Sequence, residues 1–289
     1  MTEANRGPVL PPPLPLAHGE LGEQDALELR ALKEQIRNAS GLFCEGYKEK
    51  CLRRRLAVRM RARGVHRYAD YAALLEADPA EYKTLLNTVT INVSKFYRNP
   101  EVWDVVRSIV LPDLFREPRP VRIWSAGTAT GEEPYTCAML VREYAEQHPD
   151  FDTSLVEILA TDIDETALVK ARAASYPDLA LVETPEDAKA RWFEAGGPPF
   201  RVKPEIRRMV RFIQGDLIRD PAPESLDLVF CRNVFIYFER ELQEDLLSRF
   251  VDALRPGGWL VLGKVETLLG PAARRLDVIR SRERVYRRR

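Results

Sequence analysis

The alternation that begins at Val121 constrains this chain more than any other feature. Val121-Arg122-Ile123-Trp124-Ser125-Ala126 is a short run rich in β-branched and aromatic residues. A glycine-bearing turn follows it, and then a stretch with helical spacing through Met139. Further short apolar runs lie at Val156–Thr161, Leu226–Cys231 and Trp259–Gly263, with a helical stretch over Glu165–Ala174 after the first of these. Val285-Tyr286 has the look of the end of a last strand. Near-continuous apolar runs separated by helices predict parallel strands covered on both faces. The expected class is therefore α/β. Between Tyr176 and Val210 the alternation fails, and Gly196-Gly197-Pro198-Pro199 interrupts, so that stretch is expected to be an insertion with short elements of its own.

The first part of the chain has a different texture. Leu29, Leu32 and Ile36 fall at helical spacing from Asp25 onward. Further helices are predicted over Tyr47–Arg63, Tyr68–Ala77 and Ala80–Val89, each bounded by glycine or proline. The expected domains are a disordered proline-rich tail over 1–24, an all-helical domain over 25–92, and an α/β domain over 93–289 with its insertion near 176–210. The tail's apolar part is broken by Pro11, Pro12, Pro13 and Pro15, which is unlike a signal peptide. No apolar run approaches the ~18 residues of a membrane span. Cys44, Cys51, Cys137 and Cys231 form no CxxC pair and only three histidines accompany them, so no metal site is expected and a cytoplasmic location is. Lys and Arg together equal Asp and Glu at 44 each, so bulk charge selects no polyanionic partner. No oligomerisation signal is evident, and a monomer is expected.

Chemistry concentrates at the first strand-to-helix turn, Ser125-Ala126-Gly127-Thr128-Ala129-Thr130-Gly131-Glu132-Glu133-Pro134-Tyr135. Glycine allows a tight turn and close approach of a ligand to the backbone. A phosphate-binding loop would want no negative charge here, whereas Glu132 and Glu133 suit a ligand with a cationic end. The competing reading is that these acids only complement the helix dipole. Asp162 ends the next strand, 35 residues beyond Gly127, where an acid can accept hydrogen bonds from ribose hydroxyls. It could equally be a helix cap.

Five segments in order resemble the CheR-type chemotaxis receptor methyltransferases. They are Thr90–Arg98 (TINVSKFYR), Ser125–Tyr135, Asp162-Ile163-Asp164, Phe230–Phe238 (FCRNVFIYF) and Arg255-Pro256-Gly257-Gly258. The resemblance covers about Asp25 to Tyr286. It implies a Rossmann-like class I methyltransferase domain, an N-terminal all-helical domain and a small inserted β subdomain. It also implies S-adenosylmethionine as cofactor, with S-adenosylhomocysteine as product, and glutamates on chemoreceptor methylation helices as substrate. The cofactor residues so implied are Asn92, Ser94, Arg98, Gly127, Glu132, Asp162, Asp216, Leu217, Asn233 and Val234. Arg98 and Tyr237 are the candidates at the reacting centre, against the plainer readings of a surface arginine and a packed aromatic. The chain departs from the family pattern in three places. Gly263-Lys264-Val265-Glu266 replaces a Gly-His-Ser-Glu run, Thr128-Ala129 replaces Cys-Ser, and Asp216 stands where many members carry asparagine.

A basic segment supplies a docking expectation. Nine cations lie between Tyr47 and Arg67, opposed by Glu49 alone. At 100° per residue Leu52, Leu56 and Met60 form one apolar stripe, with Lys50, Arg54 and Arg61 opposite and Lys48, Arg55 and Arg59 beside it; Arg53, Arg54, Arg59, Arg61 and Arg63 of this basic segment are the candidate contacts to an acidic partner. A merely solvated face and an RNA contact are the alternatives. Beyond the receptor reading stand a methyltransferase for another protein, a small molecule or RNA, and a non-catalytic module that signals when the cofactor or its product binds.

Overall fold

The computed structural model describes residues 21–90 and 92–289, so most of the proline-rich tail expected over 1–24 lies outside the described residues. Contacts divide the chain into two compact units, one ending at Thr90 and the other running on to Arg289.

The first unit is built from α1 (Glu23–Ser40), α2 (Glu49–Ala62), α3 (Tyr68–Ala77) and α4 (Ala80–Val89). α1 starts two residues ahead of the expected Asp25, because Glu23 and Asp25 together place negative charge in the first turn. It stops at Gly41, whose left-handed conformation (φ 78°) closes the helix onto Arg37 O. Leu29, Leu32 and Ile36 are buried, as are Leu52, Leu56 and Met60 of α2. Burying each such side chain contributes about 1.5–3 kcal/mol. Cys44 sits in a 3₁₀ turn ahead of α2 and Cys51 within it, and all four cysteines are free.

The second unit opens with a helix that the sequence reading did not register. It comprises α5 (Pro100–Val105), a π-helical turn (Val106–Val110) and α6 (Leu111–Leu114). Its buried face is Val102, Trp103, Val106, Val110, Leu111 and Leu114. Then come β1 (Val121–Ala126), α7 (Glu132–Gln147), β2 (Val156–Asp162) and α8 (Glu165–Ala173). The insertion holds β3 (Ser175–Tyr176), α9 (Glu186–Trp192), β4 (Phe200–Arg201) and α10 (Pro204–Arg207). β5 (Val210–Gln214), β6 (Leu226–Cys231), α11 (Arg240–Ala253), β7 (Leu254–Leu262), β8 (Leu276–Arg280) and β9 (Val285–Arg288) complete the chain.

The main sheet has the order β5-β2-β1-β6-β7-β9-β8. Strands β5 to β7 are parallel, while β9 runs antiparallel to β7 and to β8. The parallel sheet expected from the sequence ends in an antiparallel hairpin, because residues 281–284 leave no room for a crossover helix. β3 and β4 pair antiparallel as a separate ribbon. The insertion does not stand apart from the main core. Tyr176, Leu181, Trp192, Phe193, Val202 and Ile206 belong to the same apolar cluster as Ile123, Leu140 and Phe230. The chain leaves β1 for β2 on one side and returns to β6 on the other, so the order reverses between β1 and β6. Ligands of open α/β sheets bind at that crevice, beyond the carboxyl ends of the strands.

Candidate active site

The carboxyl edge of the sheet gathers the segments singled out in the sequence. Ala126 pairs with Thr161, Ser125 with Phe230, and Asp162 with Gln214, so the residues after β1, β2, β5 and β6 emerge along one edge. The turn after β1 is stitched to the end of β2. Gly127 N and Thr128 N both donate to Thr161 O, at 2.9 and 3.0 Å, and Ala129 N donates to Asp162 Oδ2 at 2.7 Å. Gly127 has φ 77°, and a Cβ there would lie 2.6 Å from Val234 Cγ2. The β1 turn and the segment after β6 therefore approach as closely as glycine permits.

The two glutamates of the turn have different surroundings. Glu133 accepts a hydrogen bond from Ser125 Oγ at 2.8 Å and lies 3.6 Å from Arg232 Nη1, so it is used inside the protein. Glu132 accepts from Thr130 Oγ1 with both oxygens, at 2.9 and 2.8 Å, and from the Ser94 hydroxyl. Burial raises the pKa of Glu132, and only hydrogen-bond donors, its own backbone N–H and the Thr130 and Ser94 hydroxyls, oppose the shift. Asp162 is likewise raised by burial, while N–H donors from Asp164 and Ala129 oppose the shift. Ala129 N and Asp164 N each donate to one Asp162 oxygen and Ile163 N–H also lowers its pKa, which leaves part of the roughly four acceptor positions of a carboxylate open. The helix cap considered for Asp162 belongs instead to Asp164, which accepts from Thr166 N and Ala167 N at the start of α8. Asn92 Nδ2 donates to that same Asp164 at 2.5 Å.

The turn after β6 is organised by a residue the sequence reading left unassigned. Glu266 Oε1 accepts from Val234 N (2.8 Å) and Phe235 N (2.7 Å), and Oε2 from Asn233 N (3.1 Å) and Gly263 N (2.6 Å). Burial raises the Glu266 pKa, and these backbone donors pull it back. Asn233 has φ 63° and its Oδ1 is buried without a partner. Gly263 carries no Cβ here because one would lie 2.7 Å from Asn233 N. Lys264, at the position of the family's histidine, pairs with Glu101. Tyr237 is half-buried in the 3₁₀ turn Phe235–Tyr237. Arg98 is half-buried, with Nη1 donating to Val93 O at 3.2 Å.

At the far end of the edge, Asp216 and Leu217 follow β5. Gly215 N donates to Asp162 O at 3.0 Å, and Asp216 Oδ1 accepts from Ile218 N at 2.8 Å. Arg249 Nη1 holds Leu217 O at 2.7 Å. The structure thus brings Asn92, Gly127, Glu132, Asp162, Asp216, Leu217, Asn233 and Val234 to the strand ends or to segments bonded to them, with Ser94 joined through Glu132.

Three of the arginines read as docking contacts have partners inside the helical unit, although Arg63 is also exposed. In the helical unit Arg53 is 7% exposed and lies 3.8 Å from Glu49. Arg59 grips the buried Glu81 with two bonds, at 2.7 and 2.9 Å, and Arg63 reaches Glu81 and Asp78 at 2.8 and 2.9 Å. A carboxylate taken out of water needs such partners, and no count of cations along a helix reveals one in α4. Arg54 and Arg61 are exposed.

The strand-end residues meet the needs of S-adenosylmethionine. The buried oxygens Thr128 Oγ1 and Asn233 Oδ1 have no partner, and Glu132 offers negative charge to an ammonium group. Asp162 keeps acceptor capacity for ribose hydroxyls. Among the described residues no cluster of His, Cys, Asp and Glu is arranged to hold a metal ion.

Comparison with known proteins agrees with this chemistry. Residues 92–285 match the family described as CheR methyltransferase, SAM binding domain, and residues 27–90 match CheR methyltransferase, all-alpha domain. A chemotaxis protein methyltransferase of Listeria innocua is 34% identical over 239 residues, covering 82% of this chain and 88% of the relative. One of Borreliella burgdorferi is 32% identical, covering 84% and 89%. Chemotaxis protein methyltransferase 2 of Pseudomonas aeruginosa is 34% identical, covering 84% and 87%.

Proposed function

The chain belongs to the CheR methyltransferase family, a family of S-adenosylmethionine-dependent enzymes of chemotaxis, and on that premise we propose that it esterifies glutamate side chains of chemoreceptors. The observation that carries this reading is the strand-end constellation of Glu132, Asp162 and Asn233, with buried polar atoms awaiting a partner. Glu132 would take the ammonium end of the cofactor and Asp162 the ribose. Asp216 and Leu217 would border the adenine, and Asn92, Ser94, Gly127, Asn233 and Val234 would complete the cradle. When bound, S-adenosylmethionine supplies a methyl group activated by its sulfonium.

The acceptor needs little from the protein. A glutamate carboxylate, with an ordinary pKa near about 4.3, is already ionised at neutral pH, so no strong general base is required. The residues around it have to orient the carboxylate and exclude water. Arg98 is suited to orienting it through a charge-assisted hydrogen bond, and Tyr237 to a second bond near the same centre. That pairing must be partial, because holding the ground state tightly would slow attack.

The helical unit is proposed to dock the receptor. With Arg53 and Arg59 used internally, Lys50, Arg54 and Arg61 form the exposed basic face of α2, and Arg63 just beyond it is exposed while paired to Asp78 and Glu81. Such a face suits an acidic helical partner. We place the enzyme in the cytoplasm as a monomer. Among the described residues no helix is long and apolar enough to cross a membrane.

The test is transfer of labelled methyl from S-adenosylmethionine to purified chemoreceptor cytoplasmic fragments. Base-labile label on glutamate, weakened by Arg54→Glu with Arg61→Glu and by rising salt, supports the proposal. Tight cofactor binding with no transfer to any fragment redirects it to another substrate or to a binding module.

A further inference from the structure

We propose that Arg232 is a positioning residue for methyl transfer, holding the backbone on either side of Arg98 in the shape that aims its guanidinium. The inference rests on the reading of Arg98 as the group that orients the acceptor carboxylate.

Arg98 sits in an unusual stretch of backbone. Tyr97 before it has φ 52° and Asn99 after it has φ 59°. L-residues avoid this left-handed region, and two such residues around one position persist only where neighbouring contacts over-determine them. Those contacts are present. Tyr97 N donates to Thr136 Oγ1 at 3.2 Å, and Asn99 N donates to Glu183 Oε2 at 2.8 Å. The central hold comes from Arg232, the first residue beyond β6. Its Nη2 donates to Arg98 O at 2.7 Å and to Asn99 Oδ1 at 3.1 Å. One guanidinium nitrogen thus fixes both residues of the Arg98–Asn99 peptide.

Arg232 is itself fixed from behind. Its side chain is 2% exposed, its Nη1 lies 3.6 Å from Glu133 Oε2, and its guanidinium lies 5.5 Å from the Trp103 ring. Glu133 in turn accepts from Ser125 Oγ of β1. A path of direct contacts therefore runs from β1 through α7 and the end of β6 to the backbone of Arg98. Only a planar fork can serve the carboxylate on one nitrogen and two oxygens on another. Lysine would keep the charge beside Glu133 and lose that geometry. A role in folding alone would require only the charge. A positioning role requires the fork.

The experiment uses the full chain, a receptor fragment as acceptor and saturating S-adenosylmethionine. Arg98→Ala, Arg232→Lys and the double variant are compared, and cofactor affinity is measured on each. Arg232→Lys is expected to bind cofactor within about twofold of the parent and to lose at least about tenfold in kcat/KM, with the double variant no slower than Arg98→Ala alone. Asn99→Gly is the second variant. It removes one of the two acceptors, tolerates the left-handed backbone and leaves the Arg232–Glu133 pair intact. It is expected to lose about threefold to fivefold in kcat/KM, a partial loss because the bond to Arg98 O remains. Losses that multiply in the double variant, or unchanged transfer by both Arg232→Lys and Asn99→Gly, would overturn the proposal. Should Arg232→Lys not fold, unchanged transfer by Asn99→Gly alone overturns it. If Arg98→Ala itself transfers methyl normally, the reading of Arg98 fails instead, which separates the two failures.

Discussion

Replacing Glu266 by glutamine tests whether one buried carboxylate shapes the cofactor's cradle. The carboxylate accepts four backbone N–H groups, two on each oxygen. Glutamine has one acceptor oxygen, so two N–H groups would face an amide that can only donate. Each buried N–H left without a partner costs about 1–3 kcal/mol. Asn233 is only half-buried, so water can reach part of the defect. Removing a charge that burial disfavours gives a further offset. The net cost is therefore about 2–3 kcal/mol. If the turn keeps its shape, that cost appears as lower stability, a fall in Tm of about 4–12 °C for a unit of this size. If the turn relaxes, Asn233 and Val234 move and cofactor affinity falls by about 30- to 150-fold. Urea unfolding and calorimetric titration with S-adenosylmethionine, on the same preparation, capture both. Glu266→Ala, which abandons all four donors, should be worse than glutamine. A Glu266→Gln protein within about 0.5 kcal/mol of the parent in stability and twofold in affinity would refute the reasoning.

Other outcomes follow from the same geometry. Burial raises the Glu132 pKa, so in the absence of cofactor its ionised form costs stability that is recovered as pH falls through the folded value; affinity for a cationic ligand should run the other way, dropping over that window above the ordinary carboxylate range, and Glu132→Gln should remove this component in titrations across pH. Glu81 has the opposite sign: burial opposes ionisation, but Arg59, Tyr71 and Arg63 outweigh it, so its contribution is present above the unfolded pKa and lost as pH falls through the lower folded one. Glu81→Gln should destabilise the helical unit by about 2–4 kcal/mol in denaturant unfolding. Gly127→Ala should cost about 1–2 kcal/mol for the left-handed backbone plus the clash with Val234, and Val234→Ala should restore part of the lost cofactor affinity in a binding assay.

Local signals made much of this molecule legible. β1, β2 and β6 were visible because a buried parallel strand is a short apolar run, whatever packs on it. α3 and α4 were visible through their boundaries, since Pro79 closes one and opens the other. The edge strand β5 was missed although Val210, Phe212 and Ile213 are strand formers, because it follows directly on the irregular insertion and buries only Val210. The helix over 100–114 was also missed, although Val102, Val106, Val110 and Leu114 recur every four residues along it.

The sequence by itself determined the alternation around β1, β2 and β6, the glycine turn after β1 and the acids at the strand ends, because each depends on residues close together in the chain. Tertiary structure alone decided which charges are spent. Glu133 faces Ser125 and Arg232, while its neighbour Glu132 stays turned toward the strand ends. Arg59 is committed to Glu81, whereas Arg54 and Arg61 are exposed. Glu266 holds a turn more than 30 residues earlier. A charged side chain has the same composition and helical periodicity whether it is paired or free, and its partner is chosen by the fold, across distances along the chain that no local pattern spans.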